Sequence, residues 1–62
     1  MILRELIDVS YTKMRIMYGA NENDEIVINP KGGTWKVLKD EFLNRSVAII
    51  TVHSGEIYVR LD

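Results

Sequence analysis

Two β-branched runs in the last third of the sequence predict a β-hairpin, and this element constrains the fold most. Residues 47–52 and 57–61 are separated by a segment in which Ser54 and Gly55 can form a two-residue loop. That loop sets three facing pairs, which are Val52 with Ile57, Ile50 with Val59, and Ala48 with Leu61. Because every member of this face is apolar, we expect it to pack against a core formed by the rest of the chain.

A second hairpin is predicted upstream. Residues 13–18 alternate between two faces, and residues 25–29 have the composition of a partner strand. The intervening residues 19–24 are rich in Gly, Asn and Asp, which favour turns. The side chains of this hairpin predicted to face the core are those of Met14, Ile16 and Tyr18.

Apolar residues at helical spacing predict two short helices. The first covers residues 2–10, where a strand is an open alternative because several alternate positions are also apolar. The second covers residues 35–44, with Thr34 as its N-cap and Asn44 at its end. The core-facing stripe of the first helix is Leu3, Leu6 and Ile7 and continues to Tyr11 just beyond its end, and that of the second is Trp35, Leu38 and Phe42, with Leu43 beside them.

This order of elements predicts an α+β fold of the αββαββ type. The two hairpins form one four-stranded sheet, and both helices pack on one of its faces. A length of 62 residues allows one small domain over residues 1–62, and the absence of cysteine excludes disulfides and thiolate zinc sites. The order of the strands within the sheet does not follow from the sequence.

The charge of the chain argues against general binding of nucleic acids. Its net charge is −1 and its pI is about 5.7, whereas such binding depends on clustered basic residues. The N-terminal residues lack the pattern of a signal peptide or of a membrane span, so we expect a cytoplasmic protein without a membrane partner. The charges are uneven, since Glu22, Asp24 and Glu25 precede a mildly basic region with Lys31, Lys36, Lys39 and Arg45.

No arrangement of residues predicts catalysis, a metal site or a cofactor. The single histidine, His53, is expected opposite Glu56 at a hairpin end, where such a pair is usually a surface contact. Its neighbour Ser54 points to the other side of a strand, so the two cannot act as nucleophile and base. One histidine without cysteine cannot form a zinc site within one chain. We therefore expect a protein that is not an enzyme.

The sequence Lys31-Gly32-Gly33-Thr34 precedes the second predicted helix and offers a weak candidate for anion contact. Free amides and the dipole at a helix start favour negative charge. The order of residues is not that of a phosphate-binding loop, in which lysine follows the glycines. Two glycines equally serve a sharp turn from strand to helix, and we regard the turn as the stronger interpretation.

Several apolar residues are predicted on the sheet face that the helices leave open. Tyr, Met and Arg are enriched at protein interfaces, so this face is a candidate for partner binding. Scattered exposed apolar residues are also normal on protein surfaces, and ordinary surface remains an equal alternative. The candidate residues are Arg15, Met17, Val27, Ile49, Tyr58 and Arg60, with the arginines expected at the rim of an apolar patch.

Four short motifs follow one another along the chain. They are a Glu-Leu-hydrophobic signature in residues 4–8, a hydrophobic-Arg-hydrophobic strand in residues 14–16, a Gly-Thr helix start at residues 33–34, and an Arg-X-Val-hydrophobic start of the last hairpin in residues 45–50. In this order they resemble small proteins encoded in phages and prophages of Gram-positive bacteria. Trp35 departs from that pattern. The resemblance implies an accessory protein with an αββαββ fold and carries over no functional residue.

These observations lead to two hypotheses of different classes. The first is a non-enzymatic protein interaction module, which forms a homodimer or binds a host or phage protein through the open sheet face. One form of it is an inhibitor of a bacterial defence nuclease, comparable to an anti-CRISPR protein, whose acidic segment meets a basic groove. The alternative is a weak nucleic-acid-binding protein that uses the basic loop and second helix.

Overall fold

The chain folds in the predicted order αββαββ, which confirms the α+β class. The computed structural model describes the backbone of residues 1–62 and every side chain except that of Thr34. Two segments of 3₁₀-helix, Pro30–Gly32 and Thr34–Val37, lie between the second strand and the second helix. The remaining elements are α1 (Leu3–Asp8), β1 (Met14–Met17), β2 (Glu25–Ile28), α2 (Asp40–Leu43), β3 (Val47–His53) and β4 (Glu56–Leu61).

The two hairpins join through their inner strands. The four strands lie in the order β2-β1-β4-β3, with antiparallel pairing inside each hairpin and parallel pairing between β1 and β4. Ile16 therefore lies beside Val59 at the centre of the sheet. This order leaves β2 and β3 as the two edge strands.

The core lies between the helices and the two central strands. Leu3, Met14 and Val59 are completely buried, which removes the apolar surface of each from water and contributes about 1.5–3 kcal/mol per side chain. Among the described side chains, no residue of β3 belongs to the buried set. The full set is Leu3, Leu6, Ile7, Met14, Ile16, Ile28, Leu43, Val59 and Leu61.

Helix α1 is shorter than the predicted helix over residues 2–10. The Glu5 carboxylate accepts a hydrogen bond from the backbone N–H of Ile2 at 3.0 Å and so stabilises the first turn. At the other end, the Ser10 hydroxyl donates to the carbonyl of Leu6 at 2.6 Å. The helix ends at Asp8, so Tyr11 lies beyond it and is exposed, and its prediction as a core residue is wrong.

The predicted continuous helix over residues 35–44 is wrong. Leu38 and Lys39 have extended backbone, with ψ angles of 141° and 146°, and they separate the second 3₁₀ segment from α2. Asp40 and Glu41 thereby occupy the first turn of α2, where the helix dipole favours acidic residues. The backbone of Thr34 begins a 3₁₀ segment, while its predicted capping hydroxyl lies outside the described side chains.

The C-terminal hairpin has the predicted loop and most of the predicted register. Ser54 and Gly55 both have positive φ angles, 53° and 77°, as a two-residue type I′ turn requires. The pairs of Val52 with Ile57 and of Ile50 with Val59 are confirmed. The third pair is wrong, because the register shifts between Val47 and Ile49 and places Val47 opposite Leu61. Ala48 lies at this bulge, which adds a residue to β3.

The helix-facing side of β3 is more exposed than the sequence predicts. Ile50 and Val52 point to the same side of the sheet as buried Val59, yet they remain 45% and 73% exposed. The reason is the position of β3 at the edge, beyond the area that the helices cover.

Neither α-helix, six and four residues long, has the length or apolarity that crossing a bilayer requires.

Candidate functional site

The six predicted face residues all lie on the side of the sheet opposite the helices. Residues of a strand alternate between faces, so the burial of Met14 and Ile16 places their neighbours on the open side. Strand pairing then extends this outer face across the sheet. Its members are Arg15 and Met17 on β1, Val27 on β2, Tyr58 and Arg60 on β4, and Ile49 on β3.

The arginines lie between the apolar residues of the outer face and not around them. Arg15 has Val27 on one side and Tyr58 on the other. Arg60 lies between Met17 and Ile49 in the next row. The outer face is therefore a mosaic of apolar and cationic groups, which corrects the predicted apolar patch with a basic rim.

Two carboxylates fix the position of Arg15. Its Nη1 lies 3.0 Å from Oε1 of Glu25, and its Nε lies 3.2 Å from Oε2 of Glu56. Lys13 adds a second cation, 3.4 Å from Oε1 of Glu56. The guanidinium lies 5.9 Å from the centre of the Tyr58 ring, within the range of a cation–π contact.

This network shifts the ionisation of its members. The hydrogen bonds that Arg15 donates to Glu25 and to Glu56 raise the pKa of Arg15 above its usual value, with the larger effect from Glu25. The hydrogen bond from Arg15 lowers the pKa of Glu56, because it stabilises the ionised carboxylate. Both groups are charged at neutral pH, and the charged pair holds the Arg15 side chain in one position against Tyr58.

Arg60 borders a shallow depression at the β1–β2 turn. Its Nη1 donates to the carbonyl of Gly19 at 3.3 Å, and its Nη2 approaches the sulfur of Met17 at 3.8 Å. The depression has a volume of about 220 Å³. Its wall combines apolar, acidic and basic groups, contributed by Met17, Ala20, Asn21, Glu22, Glu25, Tyr58 and Arg60.

His53 lies at the end of the outer face. It is paired with Glu56 across the hairpin, as the sequence predicts, and its ring centre lies 6.1 Å from that of Tyr58. The Glu56 carboxylate is directed to Arg15 and Lys13. Among the described side chains, no three His, Asp or Glu residues come close enough together to hold a metal ion.

Residues 31–34, where an anion contact is predicted, form a turn that joins two short 3₁₀ segments. The N–H of Lys31 donates to Oδ1 of Asn29 at 3.2 Å, and the N–H of Gly32 donates to the Asn29 carbonyl at 3.0 Å. Gly33 has a φ of 71°, which reverses the chain between two short 3₁₀ segments. The structure thus favours the turn interpretation of the glycines, and the Thr34 hydroxyl lies outside the described side chains.

The acidic and basic groups predicted to meet charged partners are partly engaged within the chain. Asp24 closes the β1–β2 turn, where its carboxylate accepts the N–H of Asn21 at 3.4 Å. Glu25 pairs with Arg15. Arg45 donates to the carbonyls of Tyr18 at 2.8 Å and Asp62 at 2.6 Å. Glu22 is therefore the most exposed acid of its segment. Because Arg45 is engaged by backbone carbonyls, the nucleic-acid hypothesis loses one of its four basic residues.

Two features of the surface were not predicted from the sequence. The first is the set of ion pairs that Arg15 makes with Glu25 and Glu56. The alternation of each strand places both acids on the outer face, and this is the sequence signal that could have indicated the pairs. The exposure of β3 depends on the strand order, for which the sequence contains no signal.

Comparison of the chain with protein-family models, with curated proteins and with solved structures gives no match.

Proposed function

We propose that this chain is a non-enzymatic interaction module that binds a partner protein through the outer face. The observation that carries the proposal is the fixed Arg15–Tyr58 pair at the centre of that face. Tyrosine and arginine, together with tryptophan, are enriched among the residues that dominate binding energy at protein interfaces. Because the ion pairs already hold Arg15, a partner would lose less side-chain entropy in ordering it.

The surroundings of this pair support the same proposal. Val27 and Ile49 are 45% and 55% exposed and flank the two arginines, so a partner can bury apolar surface next to charged groups. Tyr, Met and Arg, which all occur on the outer face, are enriched at protein interfaces relative to the rest of a protein surface. The single histidine lies at an exposed hairpin end beside a carboxylate that already has two cationic partners, which is why the proposal includes no catalytic step.

We further propose that the protein acts in the bacterial cytoplasm as an accessory protein of a phage or prophage. The resemblance described above supports this origin. In that setting the partner is a host or phage protein, and inhibition of a defence nuclease is one role open to it. Exposed Glu22 and the depression beside Arg60 would then contact a basic groove of the nuclease.

Affinity capture with a matched pair of variants tests the proposal. The immobilised full chain is compared with Tyr58→Ser and with Tyr11→Ser, the same substitution at an exposed position outside the outer face. We expect a protein from bacterial lysate to bind the wild type and Tyr11→Ser and to be lost from Tyr58→Ser. Capture that is identical for both variants would contradict a role for the outer face.

The nucleic-acid alternative is tested on the same variants. A fluorescent oligonucleotide that binds at low salt and is released steeply as salt rises would indicate phosphate contacts. We expect no such binding, because Arg45 is held by backbone carbonyls and the basic residues do not share one helix face. Salt-sensitive binding that is unaffected by Tyr58→Ser would replace the proposal with the alternative.

A further inference from the structure

Strand β3 presents an edge that few monomeric proteins leave open. It is seven residues long, contains no charged residue and no proline, and has no neighbouring strand along most of its outer edge. Natural proteins usually protect such an edge with a charge, a proline or a covering element, since unpaired backbone groups recruit another strand. Ile49, Ile50 and Val52 are between 45% and 73% exposed, so both faces of the strand also leave apolar surface in water.

The phase of the hairpin determines which backbone groups point outward. In a two-residue type I′ hairpin the residues next to the turn, His53 and Glu56, form a hydrogen-bonded pair. Hydrogen-bonded and non-hydrogen-bonded pairs alternate along antiparallel strands, so Thr51 and Ile49 also bond to β4. The N–H and C=O groups of Ile50 and Val52 therefore point away from the sheet.

The open part of this edge has defined ends. At one end the N-terminal segment covers the start of β3, where the Val47 N–H donates to the Met1 carbonyl at 2.8 Å. A bridge between Ile2 and Ser46 completes that cover. At the other end the chain leaves the sheet at the turn formed by Ser54 and Gly55. Ala48 lies in the bulge, so the regularly paired part of the open edge runs from Ile49 to His53 and its midpoint is Thr51.

We infer that a second copy of this chain occupies the open edge, with β3 of each copy antiparallel to β3 of the other and Thr51 opposite Thr51. In this register Ile50 of one copy faces Val52 of the second copy, so every outward N–H and C=O of these residues finds a partner. The arrangement is a two-fold symmetric interface and joins two four-stranded sheets into one. It is independent of partner binding by the outer face.

Three observations favour a second copy over another extended segment. The strand is uncharged, so two copies bring no like charges together. The facing side chains match, because Ile50 and Val52 of both copies form one apolar cluster on the helix side. The length of the second strand also fits. In the proposed register, β3 of the second copy ends at its own Ser54-Gly55 turn, just before it would reach the N-terminal segment that covers Ser46 and Val47. A longer extended segment would collide with that N-terminal segment.

The native chain contains no cysteine, so single cysteines can report the register directly. Residues opposite each other in a non-hydrogen-bonded pair have Cα atoms about 4.5 Å apart, within the range of about 4.4–6.8 Å that a disulfide spans. We expect Thr51→Cys to form a covalent dimer under mild oxidation. His53→Cys and Ile49→Cys should each cross-link about tenfold more slowly, because like residues lie roughly 13 Å apart along the strands.

A mixture provides the matched control. Ile49 of one copy faces His53 of the second copy in the proposed register, so Ile49→Cys and His53→Cys should cross-link rapidly when mixed. Cross-linking at equal rates in all samples would indicate random collisions and overturn the inference. Fast cross-linking of Ile49→Cys alone would place the interface in another register and overturn it as well.

The oligomeric state of the cysteine-free chain completes the test. Light scattering should give a dimer mass that falls to the monomer mass on dilution. Val52→Pro should be monomeric at concentrations where the wild type is dimeric, since it removes an N–H that points away from β4 into the open edge. A wild type that is monomeric at every concentration would overturn the inference. It would not affect the proposed function, which is tested by capture of a partner with Tyr58→Ser. A dimer lost in Tyr58→Ser but kept in Val52→Pro would also overturn it.

Discussion

At the scale of single residues, the sequence predicts the position of Arg15 correctly but does not predict its ion pairs. Its alternation with buried Met14 and Ile16 places it on the outer face, as the sequence indicates. Its ion pairs depend on Glu25 and Glu56, which become its neighbours only when β1 lies between β2 and β4. A residue expected at a rim is thus a central, ordered group.

The Arg15–Glu56 contact predicts how stability depends on pH. Because the pKa of Glu56 is lowered in the folded chain, ionised Glu56 stabilises the fold above its usual value of 4.5. This contribution is lost as the pH falls through and below that value. Urea midpoints measured between about pH 7 and pH 3 should show that Glu56→Gln is less stable than the wild type at neutral pH and equally stable in acid.

The control for this prediction is Glu22→Gln, an exposed acid in the β1–β2 turn. Its difference from the wild type should not reproduce the pH dependence of Glu56→Gln. If Glu56→Gln and the wild type differed by a constant amount at every pH, the ion pair would not be the origin of the effect.

At the scale of elements, hairpins were predicted better than the second helix. Alternating apolar residues and a two-residue turn define a strand register locally, so the pairs near the turn are correct. The spacing of Trp35, Leu38 and Phe42 fits one helix equally well as two helical segments. Asp40 contains the missing information, because an acid in the first turn marks a new start. The bulge at Ala48 has no comparable signal.

The turn of the C-terminal hairpin predicts a stabilising substitution. Among the residues that the structure describes, Ser54 is the one non-glycine residue with a positive φ, and asparagine adopts this conformation more readily. Ser54→Asn should therefore raise the free energy of unfolding by about 0.5 kcal/mol, read from the urea midpoint. Ser54→Val should lower it by about 1 kcal/mol, because a β-branched residue is strained there. Ser46→Asn serves as the control, and an equal gain at that position would refute the role of the turn.

At the scale of the whole molecule, the strand order connects the fold with the surfaces proposed to bind. The sequence predicts one sheet with a covered face and an open face, which the structure confirms. It does not predict which hairpin strands become edges, since the parallel β1–β4 contact depends on the packing of the whole core. The exposure of Ile50 and Val52 follows from that contact and from nothing in the hairpin itself.

Pairing through β3 predicts that stability depends on protein concentration. A chain of 62 residues has a small core, and burying its open edge stabilises the folded state by mass action. For a fully associated dimer, a tenfold rise in concentration adds about 0.7 kcal/mol per chain, or about 3–6 °C in Tm. Thermal unfolding over a hundredfold range of concentration should show this slope for the wild type and none for Val52→Pro. The same slope in both would assign the association to another surface, because Val52→Pro removes an outward N–H on which the proposed pairing depends.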